Sequence, residues 1–196
     1  VREYTDAMGR TTRYTFAADG VTTIWLPGSS SVDITVGYTG GKVSSVTAAG
    51  VTTTYSYSDA GNIRTTTVTR GSSPSSIYEF DLTKLVMTSH QNEAGHATQY
   101  QYNTSNQLTR VTMPEGNYVS YVYDARGNVT STTAVPKPAV GGTSITTTAG
   151  FDASCSIAVK CNQPNWTKDA KGNQTDYTYD PTHGGVLTVT APAPTT

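Results

Sequence analysis

The fold of this chain is decided by a ten-residue stretch that joins a strand to a turn, Tyr121-Val122-Tyr123-Asp124-Ala125-Arg126-Gly127-Asn128-Val129-Thr130. The two tyrosines are two positions apart, so both rings point to the same face of a strand. The Asp124 side chain can accept a hydrogen bond from the backbone two residues on, and Gly127 supplies the positive φ that closes a hairpin with a bulge. The stretch therefore predicts a β-hairpin.

Copies of this pattern recur along the whole chain. The tyrosine pattern returns at Tyr14-Thr15-Phe16, Tyr55 to Arg64, Tyr78-Glu79-Phe80-Asp81, Tyr100 to Thr109 and Tyr177-Thr178-Tyr179-Asp180. A second turn pattern precedes the tyrosines at Asp6 to Arg10, Glu93 to His96, Pro114 to Asn117 and Asp169 to Asn173. Tyr38 and Tyr57 are 19 positions apart, and Tyr102 and Tyr123 are 21 apart, so the period is close to 20 residues with two turns in each unit.

The composition favours strands over helices and over disorder. The 196 residues include 37 Thr and 18 Ser, whereas the good helix formers Leu, Lys and Glu are scarce. Only 35% of the chain is hydrophobic, but disorder also requires high net charge, and the formal charge is -1. A single hairpin is marginal in water, so each unit must pack on its neighbours. We expect an all-β fold of antiparallel hairpins.

The repeated motif Tyr-Xaa-Tyr-Asp-Xaa-Xaa-Gly-Asn, preceded by a Gly-Asn turn, resembles the YD repeat of the Rhs family. Such repeats also occur in insecticidal toxin-complex components, wall-associated proteins and teneurins. The resemblance covers most of the chain, and it implies YD-repeat antiparallel β-hairpins stacked into a twisted, spiralling sheet, as a partial shell or a solenoid. In large relatives such a sheet surrounds a cavity that can hold a toxin domain.

The chain also departs from the large Rhs shells. Their core signature, built around Asp-Pro-Xaa-Gly-Leu and a Gly-Arg-Phe segment, is missing, and the stretch Asp180 to Gly185 belongs to a YD unit instead. Eight or so units are too few to close a large cavity. We therefore expect a shell segment, or a shorter repeat protein that uses the same sheet for another purpose.

The whole chain is expected to form a single YD-repeat β domain, 1–196. Gly, Pro and Ser are concentrated in three loop-like interruptions, near 26–31, 70–76 and 135–165, and the tail Ala191 to Thr196 is expected to be extended. The sequence begins at Val1, with neither an initiator Met nor a signal sequence in which basic residues are followed by apolar ones. We therefore expect a mature product or a piece of a longer chain.

The motif residues are assigned a structural role rather than a chemical one. The aspartates recur at equivalent turn positions, and turn formation explains them without catalysis. No nucleophile elbow or phosphate loop is present, so we expect no enzyme activity, no catalytic residue and no cofactor. The structural set is Tyr55, Tyr57, Asp59, Gly61, Tyr100, Tyr102, Tyr121, Tyr123, Asp124, Gly127, Tyr177, Tyr179 and Asp180.

Cys155 and Cys161 lie in a loop-like insertion with five residues between them. Two cysteines without a nearby histidine do not complete a four-ligand zinc site, so no metal is expected. Two alternatives remain: a local disulfide that pins the loop, or two reduced thiols. The oxidised alternative would place the protein outside the cytoplasm.

Trp25 and Trp166 fall outside the tyrosine pattern and are the candidates for a ligand contact. Exposed aromatic rings can stack on sugars, so a carbohydrate-binding adhesion module that uses exposed Tyr and Trp is the alternative function. The opposing interpretation is that the tyrosines pack on neighbouring strands and that the tryptophans occupy the cores of irregular turns.

The expected partners follow from charge and from open sheet edges. With 13 basic and 14 acidic residues in no run of either sign, nucleic acid is not expected, and no apolar stretch is long enough to span a membrane. Unblocked ends of a sheet pair with another strand, which indicates a second copy or the rest of a longer Rhs-like chain. We expect a non-enzymatic, secreted or cell-surface structural protein.

Overall fold

The computed structural model describes residues 1–192, and strands form almost all of its regular structure. The one helical element in that range is a single 3₁₀ turn, Ala158–Lys160. The strand pairs within each unit are antiparallel and join strands that follow each other in sequence. The expected all-β fold of YD-repeat hairpins is confirmed. The chain divides into two compact units, Val1–Ala97 and, within the described residues, 98–192.

The first unit is a meander of nine strands, in which each strand pairs with the next. Its strands are β1 (Arg2–Thr5), β2 (Thr11–Ala17), β3 (Gly20–Trp25), β4 (Ile34–Thr39), β5 (Lys42–Ala48), β6 (Val51–Ala60), β7 (Ile63–Arg70), β8 (Ser76–Asp81) and β9 (Val86–Gln91).

The second unit is a meander of the same kind. Its strands are β10 (Ala97–Tyr102), which begins at the boundary, β11 (Leu108–Thr112), β12 (Tyr118–Tyr123), β13 (Val129–Val135), β14 (Ile145–Gly150), β15 (Trp166–Lys168), β16 (Gln174–Tyr179) and β17 (Val186–Thr190).

The expected interruptions coincide with irregular segments, with one correction. Residues 26–33 and 71–75 contain no strand. The third interruption, 135–165, is not a loop throughout, because β14 lies inside it. The β-branched residues Ile145 to Thr148 favour a strand and pair with β13. Positions 193–196 of the expected extended tail lie outside the described residues.

Six turns share one five-residue geometry, at 6–10, 92–96, 103–107, 113–117, 124–128 and 169–173. In each, the first N–H donates to the fifth carbonyl, the fourth N–H donates to the first carbonyl, and the fourth residue has positive φ. In the 124–128 turn, Asp124 Oδ1 accepts the N–H groups of Arg126 and Asn128, both at 2.9 Å. The Asn128 side-chain amide donates to Asp124 Oδ2 and holds the pKa of Asp124 below its ordinary value.

The two faces of the sheet differ in chemistry, as the alternation in sequence predicts. On one face of the first unit, Tyr14 lies opposite Ile24, which lies opposite Ile34. The other face carries a row of threonines paired strand by strand from β2 to β6: Thr15, Thr23, Thr35, Thr47 and Thr52.

Neither unit contains a conventional core. Among residues 1–192, only the side chains of Cys161 and Asn128 are buried, at 4% and 9% exposure, and no large side chain is fully buried. The strand residues are mostly half-buried, as in a sheet that packs on itself edge to edge rather than on a second layer. Stability therefore depends on contacts within and between neighbouring hairpins.

The turn geometry predicts the effect of adding a side chain at the fourth position. Gly127 has φ +89°, and a Cβ there would lie 3.0 Å from Gln107 Nε2, whereas Gly172 has φ +85° with open space around it. We expect Gly172→Ala to lower the free energy of unfolding by about 1–2 kcal/mol, the cost of a left-handed alanine, and Gly127→Ala to lower it further. Urea unfolding followed by circular dichroism measures both, and an unchanged midpoint for either variant would contradict the prediction.

Candidate functional site

The most regular side-chain contact of the chain is made by the second aromatic position of the tyrosine motif. In at least four copies within the described residues, this tyrosine hydroxyl donates to a backbone carbonyl just before or within the preceding strand, an arrangement that we call the tyrosine clamp. The clamps are Tyr38 to Val21 (3.0 Å), Tyr57 to Val43 (2.8 Å), Tyr123 to Leu108 (2.7 Å) and Tyr179 to Pro164 (2.8 Å).

Strand register explains where each clamp reaches. The acceptor Val43 is paired with Tyr38, and the acceptor Leu108 is paired with Tyr102, so each of these carbonyls lies beside the motif ring of the preceding hairpin. A clamp therefore joins one hairpin to the one before it. In six copies the register shifts immediately before the second aromatic residue, at Phe16, Tyr38, Phe80, Tyr102, Tyr123 and Tyr179. Such bulges redirect a side chain.

Two of the clamp tyrosines, Tyr123 and Tyr179, have pKa values above the ordinary phenol value. Burial, with a smaller contribution from Tyr121, raises the pKa of Tyr123 above its ordinary value. Burial and the neighbouring Tyr177 do the same for the pKa of Tyr179. The pKa of Tyr102 is also raised, mainly by burial. A raised phenol pKa keeps the O–H group that the carbonyl accepts.

The first tyrosines of the motif contribute rings rather than hydroxyl contacts. Tyr55, Tyr100 and Tyr121 are half-buried, and no protein group within residues 1–192 accepts or donates a hydrogen bond at their hydroxyls. Tyr177 differs, because its hydroxyl lies 3.2 Å from Thr167 Oγ1 and its ring is stacked near Tyr179, with centroids 6.5 Å apart.

The remaining motif residues occupy turns. Asp59 forms a two-point ion pair with Arg64 at 2.8 Å, and the side-chain hydrogen bond from Arg64 lowers the pKa of Asp59. Gly61 has φ +59° in the two-residue connection after β6. Asp180 Oδ1 accepts the Thr182 N–H at 2.7 Å. These contacts use the carboxylates to shape turns.

The structure joins Cys155 and Cys161 by a disulfide inside the segment 151–165, which we call the disulfide loop. Near the start of the loop, Asp152 Oδ1 accepts the Ser154 N–H at 3.3 Å, and Cys155 has φ +49°. Asp152 to Cys155 thus repeats the start of the five-residue turn, with cysteine in the place of glycine. The sequence signal for this turn is Phe151-Asp152-Ala153, a degenerate copy of the YD motif.

The disulfide loop is held by the turns on both sides of it in the second unit. The Arg126 guanidinium donates to the carbonyls of Asp152 and of Ala153, the latter at 3.2 Å. Gln163 Nε2 donates to the Gly184 carbonyl at 2.8 Å. A Cβ on Gly184 would lie 2.6 Å from the Val159 carbonyl oxygen, so the loop packs directly on that backbone.

Both tryptophans are half-buried and engaged by neighbouring residues. The Arg13 guanidinium lies 5.5 Å from the centroid of the Trp25 ring. The indole of Trp166 covers Gly150, where any Cβ would overlap the ring, and Lys168 Nζ lies 5.3 Å from its centroid. These contacts give both rings a packing role.

The described residues do not form a metal-binding site. In residues 1–192, no three His, Cys, Asp or Glu side chains lie close enough together to hold a metal ion. His90 is stacked on Tyr78, with centroids 4.6 Å apart, and His183 Nδ1 accepts the Gly185 N–H. Within the same range, no helix is long and apolar enough to cross a membrane.

The repeated hairpins, bulges and clamps define a class of protein, the YD-repeat sheet. The Teneurin YD-shell family matches residues 28–189, which is most of the chain, and the chain belongs to this family. A YD shell is a structural domain, and a structural role is therefore the one that the family supports. No curated protein matches the chain at a significant level.

Solved structures with a similar arrangement come from Tc toxins. The chain is 13% identical to a chain in the crystal structure of TcdB2-TccC3-Cdc42 (TM-score 0.45) and 12% identical to one in TcdB2-TccC3 without the hypervariable C-terminal region (TM-score 0.45). It is 13% identical to a chain of a Photorhabdus luminescens Tc holotoxin pore that carries a TccC3 mutation (TM-score 0.44). Each match covers 95% of this chain and 13% of the other, so the chain spans about an eighth of these relatives.

The clamp predicts a difference between two tyrosines of one strand. Tyr123→Phe removes a hydroxyl that donates to Leu108, whereas Tyr121→Phe removes one that has no hydrogen-bond partner among residues 1–192. We expect Tyr123→Phe to lower the free energy of unfolding by about 1 kcal/mol and Tyr121→Phe to change it by less than about half of that. Equilibrium urea unfolding measures both, and equal losses would show that the hydrogen bond is not the cause.

Alkaline pH should remove the same contact. The pKa of Tyr123 is raised in the folded protein, so its contribution is complete below the ordinary phenol pKa of about 10 and is lost as the pH rises through the folded value. The stability difference between wild type and Tyr123→Phe should therefore narrow above pH 10. Thermal melts between pH 7 and pH 11 test this, and a constant difference across the range would refute it.

Proposed function

We propose that this chain is a non-enzymatic wall segment of a larger YD-repeat shell, with further strands supplied by the rest of a longer Rhs-like chain. The observation that carries the proposal is the tyrosine clamp, which in four described copies joins a hairpin to the preceding one through a side chain. A sheet built in this way extends by adding hairpins, which is what a shell wall requires.

Among the described strands, β17 pairs with β16 on one side only, and its other edge supports the addition of a further strand. All five of its residues are exposed, and none is charged, so it lacks the usual features that block edge pairing. Val186 is paired with Tyr179, just as the acceptor Leu108 is paired with Tyr102. The Val186 carbonyl therefore has the position of a clamp acceptor for the next tyrosine motif.

Backbone direction identifies which residue of β17 would pair with that strand. The Tyr177 N–H donates to the Asn165 carbonyl, so it points away from β17. Tyr177 is paired with Val189, and in an antiparallel pair of this type both backbone groups point outward. The N–H of Val189 is thus available to an added strand.

A secreted or extracellular location accompanies this proposal. The Cys155–Cys161 disulfide is of the kind that persists in oxidising compartments. The absence of enzyme activity is proposed on a separate ground: the motif carboxylates and phenols are used in turns and clamps.

The alternative structural role is that of a self-associating extracellular scaffold. The open, uncharged edge of β17 could pair with a second copy instead of with a continuing chain. Sedimentation of the 196-residue chain distinguishes the two, because a scaffold subunit forms oligomers that Val189→Pro suppresses.

Hydrogen exchange and electron microscopy of the uncut reading frame test the shell proposal. We expect a β-walled particle in which the Val189 amide exchanges slowly, whereas the same amide exchanges fast in the 196-residue chain. Val189→Pro should lower the melting temperature of the long protein and leave that of the short chain unchanged, since the lost N–H points away from β16. A long protein without a β-walled particle, or with an unprotected Val189, would overturn the proposal.

A further inference from the structure

The disulfide loop is the place where burial is concentrated in the described chain. Cys161 belongs to the loop, and Gly184, which the loop covers, is also buried. We propose that the Cys155–Cys161 disulfide is a redox-sensitive lock, which holds the loop between the 124–128 turn and the 180–185 turn and which a small-molecule thiol opens.

The lock lies at a hairpin that has phenylalanine in the clamp position, as the hairpins of Phe16 and Phe80 also do. Continuing the register of Ser131 with Thr148 places Val129 opposite Gly150, so Phe151 follows as the residue in the clamp position. Phenylalanine has no hydroxyl to donate. The disulfide loop supplies other links at this hairpin, through Arg126 on one side and Gln163 on the other.

The 124–128 turn does not need the hydrogen bonds from the Arg126 side chain to the disulfide loop in order to form. The turns 124–128 and 169–173 have the sequences Asp-Ala-Arg-Gly-Asn and Asp-Ala-Lys-Gly-Asn, and their first aspartates accept the same N–H groups at 2.9 Å. Only the first of these turns donates to the disulfide loop, through the Arg126 side chain. Arg126 therefore acts as a latch that its counterpart Lys171 does not supply.

A small-molecule thiol is the only co-reactant that is needed to reduce this disulfide by thiol–disulfide exchange. Cys155 is half-buried, whereas Cys161 is buried, so an incoming thiolate bonds to the Cys155 sulfur and the Cys161 sulfur leaves with the electron pair and takes up a proton. A second thiol then displaces Cys155, which gives two protein thiols and one small-molecule disulfide. The Ile157 carbonyl, 3.3 Å from the Cys161 sulfur, is positioned to accept the new S–H.

The effect of reduction should be local. A disulfide stabilises less when it closes a shorter loop, and these cysteines are separated by six positions. Opening the lock therefore frees the disulfide loop and its two anchoring contacts, while the ladders of the second unit persist. As a device of a shell wall the lock rests on the proposed function, but it is measured on the loop itself.

Hydrogen exchange of the 196-residue chain with and without dithiothreitol tests the lock. The amides of Lys160, Cys161 and Gln163 donate within the loop, and we expect them to exchange faster by on the order of tenfold after reduction. The amides of Gly172 and Asn173 in the matched turn should not change. Unchanged exchange in the loop, or equal acceleration throughout the chain, would overturn the proposal.

Matched variants separate the lock from general destabilisation. The double variant Cys155→Ser with Cys161→Ser should show the fast exchange without a reductant, and dithiothreitol should have no further effect on it. Arg126→Ala should accelerate exchange in the oxidised loop, whereas Lys171→Ala should not. Equal effects of the two alanine variants would reject the latch. A lock confirmed in a chain that forms no shell would reject the proposed function alone.

Discussion

In a sheet of one layer, neighbouring hairpins are joined by ladder hydrogen bonds alone unless a side chain reaches across. The tyrosine clamp provides that reach: the Tyr123 hydroxyl donates to the Leu108 carbonyl at 2.7 Å, and the same contact recurs at three other motif copies. The phenol is long enough to cross to the adjacent strand and partly covers the backbone that it binds. At these four copies, the hairpin is positioned by the one before it.

Other features follow from the lack of a conventional core within each unit. With only Cys161 and Asn128 buried among the side chains of residues 1–192, little apolar surface is removed from water as in an ordinary core. Threonines therefore cover the second face, where β-branched hydroxyl side chains suit a wet strand surface. After β14, where Phe151 stands in the clamp position without a hydroxyl, the disulfide loop joins the neighbouring turns instead.

The turns could be predicted in detail because their causes are local. Asp124 and Gly127 are three residues apart, and their hydrogen bonds and φ angles involve no distant partner. The clamp acceptor could not be predicted in this way, since a backbone carbonyl carries no sequence signal and its place depends on register. The strand β14 was missed inside 135–165 because proline, glycine and cysteine on both sides concealed a short β-branched run.

By itself, the sequence determined the all-β class, the repeat of about 20 residues and the residues of each turn, because hairpin geometry is specified by neighbouring residues. Only the tertiary structure decided which tyrosines donate, which carbonyls accept, and how Trp25, Trp166 and the disulfide loop are engaged. The residues that these contacts join are 14 to 17 positions apart in the clamps and 21 to 27 positions apart in the loop anchors. Their geometry exists only after the strands have paired, so no local pattern encodes it.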